Sequence, residues 1–475
     1  MDIPVGKNHM LVLRDPVHQL IVIDSPVVER LLGSPALQRL RHVSQLGVNS
    51  LVFPGATHNR FSHSLGTYWV AKRIIRSLQD AGQFDVKEVG KEWLEALEVA
   101  ALLHDVGHGP FSHVWEHVSE KALGQKVTHE DMTVSIIQER FMDILGKDLK
   151  QRVIAILQGS LQGKKQFLRD IVKSQLDADR MDYLLRDAHY TGVRYGTYDL
   201  EWLLHSLRLV EYRGKTRLAV DFKKGLRAVE QFLLARFFMY HQVYFHRAVR
   251  AWEAALICLF KYLANFSPEE RRRLLNNQVA TAFNNPKDYH LLKEWHMWNA
   301  IENLSRNDDR RYENPIQLSR MILDRQKPPF SALYIGDEGP GRFDSICNSL
   351  HQRKDLHFDI HLDDCSTSIY KGILYYARKR HQKPEEEEAE EEEDIILVVE
   401  RDEPKPIELV SPSILEHLQH KHRLPRLFWM PWVDEEIRKE LERLGHQGCI
   451  EKASWLKEGA DDKYSNGRAA GSRGD

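Results

Sequence analysis

From about Ser25 to Leu263 the chain repeats apolar residues three and four positions apart in one segment after another, a periodicity that points to a helical core. The segments are SPVVERLLGSPALQRLRHVSQL, HSLGTYWVAKRIIRSLQ, EWLEALEVAALLHD, THEDMTVSIIQERF, LRDIVKSQLDADRMDYLLRDA and AVEQFLLARFFMYHQVYFHRAVRAWEAALICLFKYL. Ser25-Pro26 and Ser34-Pro35 read as helix starts, because serine caps free N–H groups and proline fits the first helical position. An extended stretch near MLVLRDPVHQLIVID precedes them. LRLVEYRGKTRLAVDF reads as a hairpin, its Arg-Gly-Lys turn separating two alternating runs. Beyond RQKPPFSALYIGD the pattern is mixed, with strand-like FSALYI, LHFDIHL and DIILVV.

The expected fold is mainly α, a helical core followed by a smaller C-terminal α+β region. The core is placed at residues 1–265, and a helical extension with the start of the α+β region at 266–380. An acidic loop or linker with one strand follows at 381–408, the α+β remainder at 409–460, and a disordered tail at 461–475. PEEEEAEEEED, residues 384–394, repels itself and has almost nothing apolar to bury, so it reads as a solvated loop.

Composition narrows the chemistry. No apolar run reaches the length of a membrane span, and MDIPVGKNHMLVLRDP lacks the parts of a signal peptide, so a cytoplasmic protein without a membrane partner is expected. Cys258, Cys347, Cys365 and Cys449 lie far apart without a CxxC pair, which leaves any metal to histidine and carboxylate. The net charge of −2 gives no global basic field, so nucleic acid is not indicated, and RRR at 271–273 reads as helix-surface charge.

ALLHDVGHGPFSH, Ala101 to His113, places three histidines and an aspartate at the end of an apolar helix. Gly107, Gly109 and Pro110 stop the regular helix there and let backbone approach a ligand closely. One buried histidine is more often a hydrogen-bonded core residue than a ligand. Here His63 in NRFSHSLG and Asp177, Asp179 and Asp182 in QLDADRMDY add to the set, and carboxylates are costly to bury without a cation or hydrogen bonds. A divalent ion on two imidazoles and two carboxylates would answer that cost, and Mn, Fe, Zn, Ni and Mg all suit such donors. The spacings alone do not show that these residues meet.

The ordered series QRLRHVSQLGVNSLVFPGATHNRFSHSLG, LLHDVGHGPFSH, THE and DADRMDYLLRDAHYTG resembles the HD-domain phosphohydrolases. It is most similar to their deoxynucleoside triphosphate triphosphohydrolase branch, which includes the sterile-alpha-motif-and-HD-domain enzymes, over roughly residues 10 to 260. The resemblance implies metal ligands His63, His104, Asp105 and Asp179, with further Mg accompanying the nucleotide. It implies a dNTP substrate, cleaved by water between the 5′ oxygen and the α-phosphorus to give a deoxynucleoside and inorganic triphosphate.

On the same resemblance His113 supplies the proton to the leaving oxygen, with Glu116 and His129 in supporting positions; Glu116 stands where relatives carry a shorter aspartate. Arg60, His108 and Arg180 match phosphate-contacting positions. Gln45, Tyr183 and Asp187 match positions that recognise the sugar, Tyr183 packing where a ribose 2′ hydroxyl would fit. A homo-oligomer, dimer or tetramer, is implied as well. Gln38 and Arg41 match residues of a guanine-nucleotide activator site, but Gly33 falls where that site has an aspartate. Other HD-type phosphohydrolase activities, on a nucleoside monophosphate, ppGpp or a cyclic dinucleotide, and a non-catalytic nucleotide or nucleic-acid module are the competing readings. The aromatic stripe of RFFMYHQVYFHRAVR reads as core, with Tyr240 and His241 left outside the candidate site.

Overall fold

The computed structural model of the protein describes residues 10–121, 123–161, 163–326, 328–334, 338–367, 395–411 and 422–451. The acidic run 384–394 and the tail 461–475 lie outside the described residues. The fold is mainly helical, with small sheets, as the periodicity predicts.

Three helices carry the centre of the molecule. Arg60–Asp80 starts at Asn59, whose side chain accepts from the Ser62 amide at 3.1 Å. Lys91–Leu103 buries every residue from Ala96 to Leu103 except Glu98, because it packs against both Arg60–Asp80 and Met142–Gln158. Ala178–Thr191 is capped by Asp177 at its start and ends at Gly192 in the left-handed region, φ 77°. The sequence pattern runs unbroken through this last start. The Asp177 side chain accepts from the Arg180 amide at 2.7 Å, and this cap ends the pattern between Gln166–Val172 and Ala178–Thr191.

The long helical pattern near residue 240 also breaks. Phe222–Met239 runs into a π turn, Tyr240–Tyr244, and His246 leaves helical geometry before Arg247–Asn265 begins. Such π turns recur at functional sites, because the extra residue redirects the side chains around it.

Strands β1 (Leu11–Asp15) and β2 (Gln19–Ile23) form an antiparallel hairpin. β3 (Leu207–Tyr212) and β4 (Lys215–Asp221) form the second, predicted one. β5 (Phe330–Leu333), β6 (Ile360–Thr367) and β7 (Leu397–Glu400) occupy the three strand-like runs, whereas β8 (Glu403–Pro406) and β9 (His422–Trp429) were not anticipated. β7 pairs in parallel with β4, Ala219 opposite Leu397, extending that hairpin to the order β3-β4-β7-β8.

The chain divides into two compact units, residues 1–328 with 365–423, and 329–364 with 424–475. This differs from the expected boundaries. The first core does not stop at 265: Tyr289 is fully buried and stacks on Trp115 at 5.6 Å, and Arg39 donates to the carbonyls of Val106 (2.8 Å) and Leu292 (3.3 Å). Nor is 395–408 merely a linker with a strand, since Ile396, Val398 and Ile407 are buried in the first unit's core. The second unit has its own sheet, β5-β9-β6, around buried Leu427, Phe428 and Trp429.

Candidate active site

His63 lies one turn into Arg60–Asp80, His104 caps the end of Lys91–Leu103 with Asp105 beside it, and Asp179 sits in the first turn of Ala178–Thr191. The three helices bring the four groups together. His63 Nε2 and His104 Nε2 are 3.2 Å apart, and Asp179 Oδ1 lies 3.0 Å from the first and 3.6 Å from the second. Asp105 Oδ1 is 3.4 Å from His104 Nε2, and its Oδ2 is 3.9 Å from His63 Nε2. Among the described residues, His63, His104 and Asp105 place their ligand atoms within 4.8 Å of one another.

The outer ring nitrogens decide what these inner atoms are. His63 Nδ1 bonds Asp182 at 2.8 Å and His104 Nδ1 bonds the Ala101 carbonyl at 2.9 Å, and each partner can only accept from the ring. The two Nε2 atoms therefore face each other as lone pairs, beside two carboxylates. Only a proton or a cation relieves that repulsion, and two imidazoles with two carboxylates suit a divalent ion. In its absence a proton takes the place. Burial opposes protonation of His63, yet hydrogen bonds to Asp179 and Asp182 push its pKa up to about 10, and His104 is raised against burial by Asp105 and Asp179.

A cleft of about 440 Å³ opens beside this group, within the range of roughly 300–1,000 Å³ usual for small-molecule sites. Of the sequence-predicted residues, Gln45, Arg60, His63, Asp105, His108, His113, His129, Asp179, Arg180, Tyr183 and Asp187 line it. His104 and Glu116 are not among the lining residues, though each contacts residues that are.

Arg60 donates from Nη1 to Asp105 at 2.5 Å. His108 lies 3.3 Å from the same carboxylate; burial and the Arg60 charge hold its pKa well below the usual imidazole value, so it is neutral near pH 7. Arg180 spends Nη1 on Asp177 and the Ser174 carbonyl, while its buried Nε has no hydrogen-bond partner.

Glu116 joins His113 and His129. One oxygen accepts from His129 Nδ1 at 2.7 Å and from the His129 amide at 2.9 Å; the other lies 3.4 Å from His113 Nδ1. Burial disfavours its charge, but the two histidines outweigh burial and hold the carboxyl well below the usual carboxylate range. The side chain of His113 is 78% exposed, as a group that meets a diffusing molecule must be. Phe111, at φ 53°, occupies the left-handed region just before Ser112–Lys121, the helix that carries His113. Strain of this kind persists where surrounding structure holds it, and it clusters at active sites.

The glycines of the loop serve a different end from the one expected. A Cβ on Gly107 would lie 2.2 Å from the His129 carbonyl oxygen, and one on Gly109 2.3 Å from the Tyr289 ring. They let the loop close onto protein, which sets His108 against His129, rings stacked at 3.8 Å.

Several site residues escaped the sequence reading. Asp187 is held between His58 Nε2 at 2.7 Å and the Tyr244 hydroxyl at 2.6 Å. Tyr240, Tyr244 and Phe245 line the cleft, so the π turn takes part of the supposed core stripe into the site, whereas His241 is not among the lining residues. Asp182, read from the sequence only as one of several buried carboxylates, in fact pairs with Arg186 four residues on, whose Nε bonds it at 2.8 Å. His58 carried no signal, its partner being 129 residues away.

Comparison with known proteins fits this geometry. Residues 60–187 match the family model of the HD domain, and residues 198–289 that of the HD associated region. Residues 60–187 thus match an HD domain, and the helical core around them is similar in fold to a solved phosphohydrolase. More narrowly, the chain resembles the catalytic core of SAMHD1. The deoxynucleoside triphosphate triphosphohydrolase SAMHD1 of Gallus gallus is 32% identical over 233 residues, 42% of this chain and 37% of that protein. The Homo sapiens protein of the same name is 28% identical over 252 residues, 47% of this chain and 40% of its own length. YwfO of Bacillus subtilis is 38% identical over 266 residues, covering 54% of this chain and 57% of YwfO. The chain spans about half the length of the curated relatives it matches, or less. A crystal structure of a phosphohydrolase from Bacteroides thetaiotaomicron matches with TM-score 0.69 at 26% identity, over 89% of this chain and 100% of that one. Among the described residues no helix is long and apolar enough to cross a membrane.

Proposed function

We propose that the chain hydrolyses deoxynucleoside triphosphates to a deoxynucleoside and inorganic triphosphate. The observation that carries the reading is the sugar end of the cleft. Gln45 Oε1 is buried without a hydrogen-bond partner in a residue that lines the cleft, and Asp187 and Tyr183 line it too. An unpaired buried acceptor costs free energy until a donor arrives, and a 3′ hydroxyl is such a donor.

The charges are arranged for the other end of the substrate. Arg60 and Arg180 supply fixed positive charge to a triphosphate, and neutral His108 donates or accepts without adding charge. His63, His104, Asp105 and Asp179 would hold the divalent ion, which when bound supplies Lewis-acid polarisation of the α-phosphate and orients water. Water adds to the α-phosphorus, the bond to the 5′ oxygen breaks, and the departing alkoxide takes a proton. In this reading His113 gives that proton, supported by its Nδ1 lying toward Glu116, which leaves Nε2 as the atom for the cleft. His129 holds the opposite oxygen of Glu116 and keeps the carboxylate in register.

The test is a screen of the four dNTPs and four rNTPs against Mn²⁺, Mg²⁺, Zn²⁺, Fe²⁺ and Ni²⁺, with products separated by anion exchange. Deoxynucleoside and triphosphate in equal amounts, with rNTPs cleaved more slowly, is the expected result. Release of pyrophosphate or phosphate instead, or turnover of another phosphoester with dNTPs inert, would point to a different HD-type phosphohydrolase.

A further inference from the structure

The turn of the first hairpin carries polar side chains that a surface turn has no need to bury. The strands around it expose one face, with Val12 47% and Leu20 45% accessible, while Ile21 and Ile23 are buried. Yet the His18 side chain is 2% exposed and that of Asp15 6%. Asp15 Oδ1 accepts from the amides of Val17 and His18, both at 2.9 Å, folding the turn inward.

Behind the turn lies a closed chain of charged contacts. Arg186, fully buried, donates from Nη1 to Asp15 Oδ2 at 2.8 Å, and from Nε and Nη2 to the two oxygens of Asp182 at 2.8 and 2.9 Å. His18 Nε2 meets Asp182 Oδ1 at 2.6 Å, and His63 Nδ1 meets Asp182 Oδ2 at 2.8 Å. The approach is possible because residue 66 of the neighbouring helix is glycine: a Cβ there would lie 1.8 Å from Asp182 Oδ1. Asp182 thus stands between the hairpin turn and the back of a predicted metal ligand, fixed from three sides.

We propose that His18 is a positioning residue for the metal group. His18 and Arg186 fix the Asp182 carboxylate, Asp182 fixes the His63 ring through Nδ1, and the ring then presents Nε2 to the shared centre at one angle. A carboxylate behind a metal-bound imidazole sets its tautomer and direction, and loss of such a partner typically costs roughly 10- to 100-fold in metal affinity. His18 is not among the residues that line the cleft, and its side chain bonds Asp182, so its effect on the ligand group passes through Asp182. The inference rests on the metal reading of His63, His104, Asp105 and Asp179.

The experiment uses the full chain, stripped with chelator and titrated with Co²⁺ alone, reading the visible d–d absorption and retention against a competing chelator. His18→Phe fills the space without a donor; His18→Gln restores a donor to Asp182. The expected result is an altered Co²⁺ band and about 10- to 100-fold weaker retention for His18→Phe, with His18→Gln within a few-fold of the parent. Thermal unfolding of the metal-free variants separates packing loss from positioning. Lower stability of both variants with unchanged Co²⁺ retention and band assigns His18 a structural role only and overturns the proposal. His63→Ala is the control on the underlying reading: if it binds Co²⁺ like the parent, the metal group itself is wrong. If His63→Ala loses Co²⁺ while His18→Phe keeps it, only the positioning role falls. Should His18→Phe fail to fold, the band and retention of His18→Asn, which keeps a donor but shortens its reach, decide in the same sense.

Discussion

Metal loading of this site should be strongly pH-dependent, because the metal and a proton compete for one position. In the metal-free chain His63 is pushed up to about 10, its Nε2 proton lying 3.0 Å from Asp179 across the heavy atoms. A cation that binds there must expel the proton. At pH 7 a group with a pKa of about 10 costs roughly 4 kcal/mol to deprotonate, at 1.36 kcal/mol per unit. Apparent affinity should therefore rise about tenfold per pH unit between about pH 6.5 and about pH 8.5, with at least one proton released per ion, His104 being raised as well. Calorimetric titration of Mn²⁺ into the stripped chain, in two buffers of different ionisation enthalpy, gives both the slope and the proton count. The metal-free fold should follow the opposite trend. A raised imidazole contributes stability that is fully present below the unfolded value of about 6.5 and is lost as pH rises toward about 10. Affinity flat across that range, with no proton release, would refute the assignment of His63 Nε2 as the shared position.

Three further outcomes are expected. Asp179→Ala should leave far-ultraviolet circular dichroism unchanged while metal content and turnover are lost, since Asp179 bonds the ligand histidines and no structural cation; full metal content by elemental analysis would contradict this. His113→Ala should keep metal and bind dNTP, but slow single-turnover cleavage by roughly 10²-fold or more; an unchanged single-turnover rate would remove His113 from proton transfer. Basal hydrolysis should not require GTP: Gly33 offers no carboxylate to guanine, Gln38 bonds the Leu32 carbonyl at 2.6 Å and Arg41 at 2.8 Å, and Arg41 lies 3.8 Å over the Phe61 ring. Initial rates for each dNTP with and without GTP check it, and strict dependence would contradict it.

Local signals carried the fold, and the places where they failed share a cause. The apolar period of 3.6 located the helices around His63, His104 and Asp179, because each helix buries one face or more in a common core. The same period ran straight through Asp177 and Tyr240. There a side-chain cap and a π turn outweighed propensity, and both lie beside the cleft. The return of β7 to the first unit was hidden for another reason, since strand pairing between residues 219 and 397 leaves no trace in either local pattern. At the site, the ligand histidines and aspartates were legible as motifs. What holds them was not: His18 to Asp182 spans 164 residues and His58 to Asp187 spans 129. Those distances are set by how helices cross, not by spacing along any one of them.

The partners of the carboxylates distinguish the aspartates that the sequence treated alike. Buried charge was the argument for a metal in the sequence, and it was applied to Asp177, Asp179 and Asp182 alike. The structure separates them. Asp177 caps a helix and bonds Arg180, Asp182 pairs with Arg186, Asp105 pairs with Arg60, and Asp187 is held by His58 and Tyr244. Each of these has a cation or two donors of the protein's own. Asp179 has only the inner faces of His63 and His104, and those rings have already committed their Nδ1 atoms elsewhere. A proton or a metal between those rings would balance its charge directly, while the neighbouring Arg180 charge acts on it without a direct bond. Asp179 therefore differs from the other carboxylates in having the two ligand histidines as its direct hydrogen-bond partners, which ties its charge to whatever occupies the space between their Nε2 atoms.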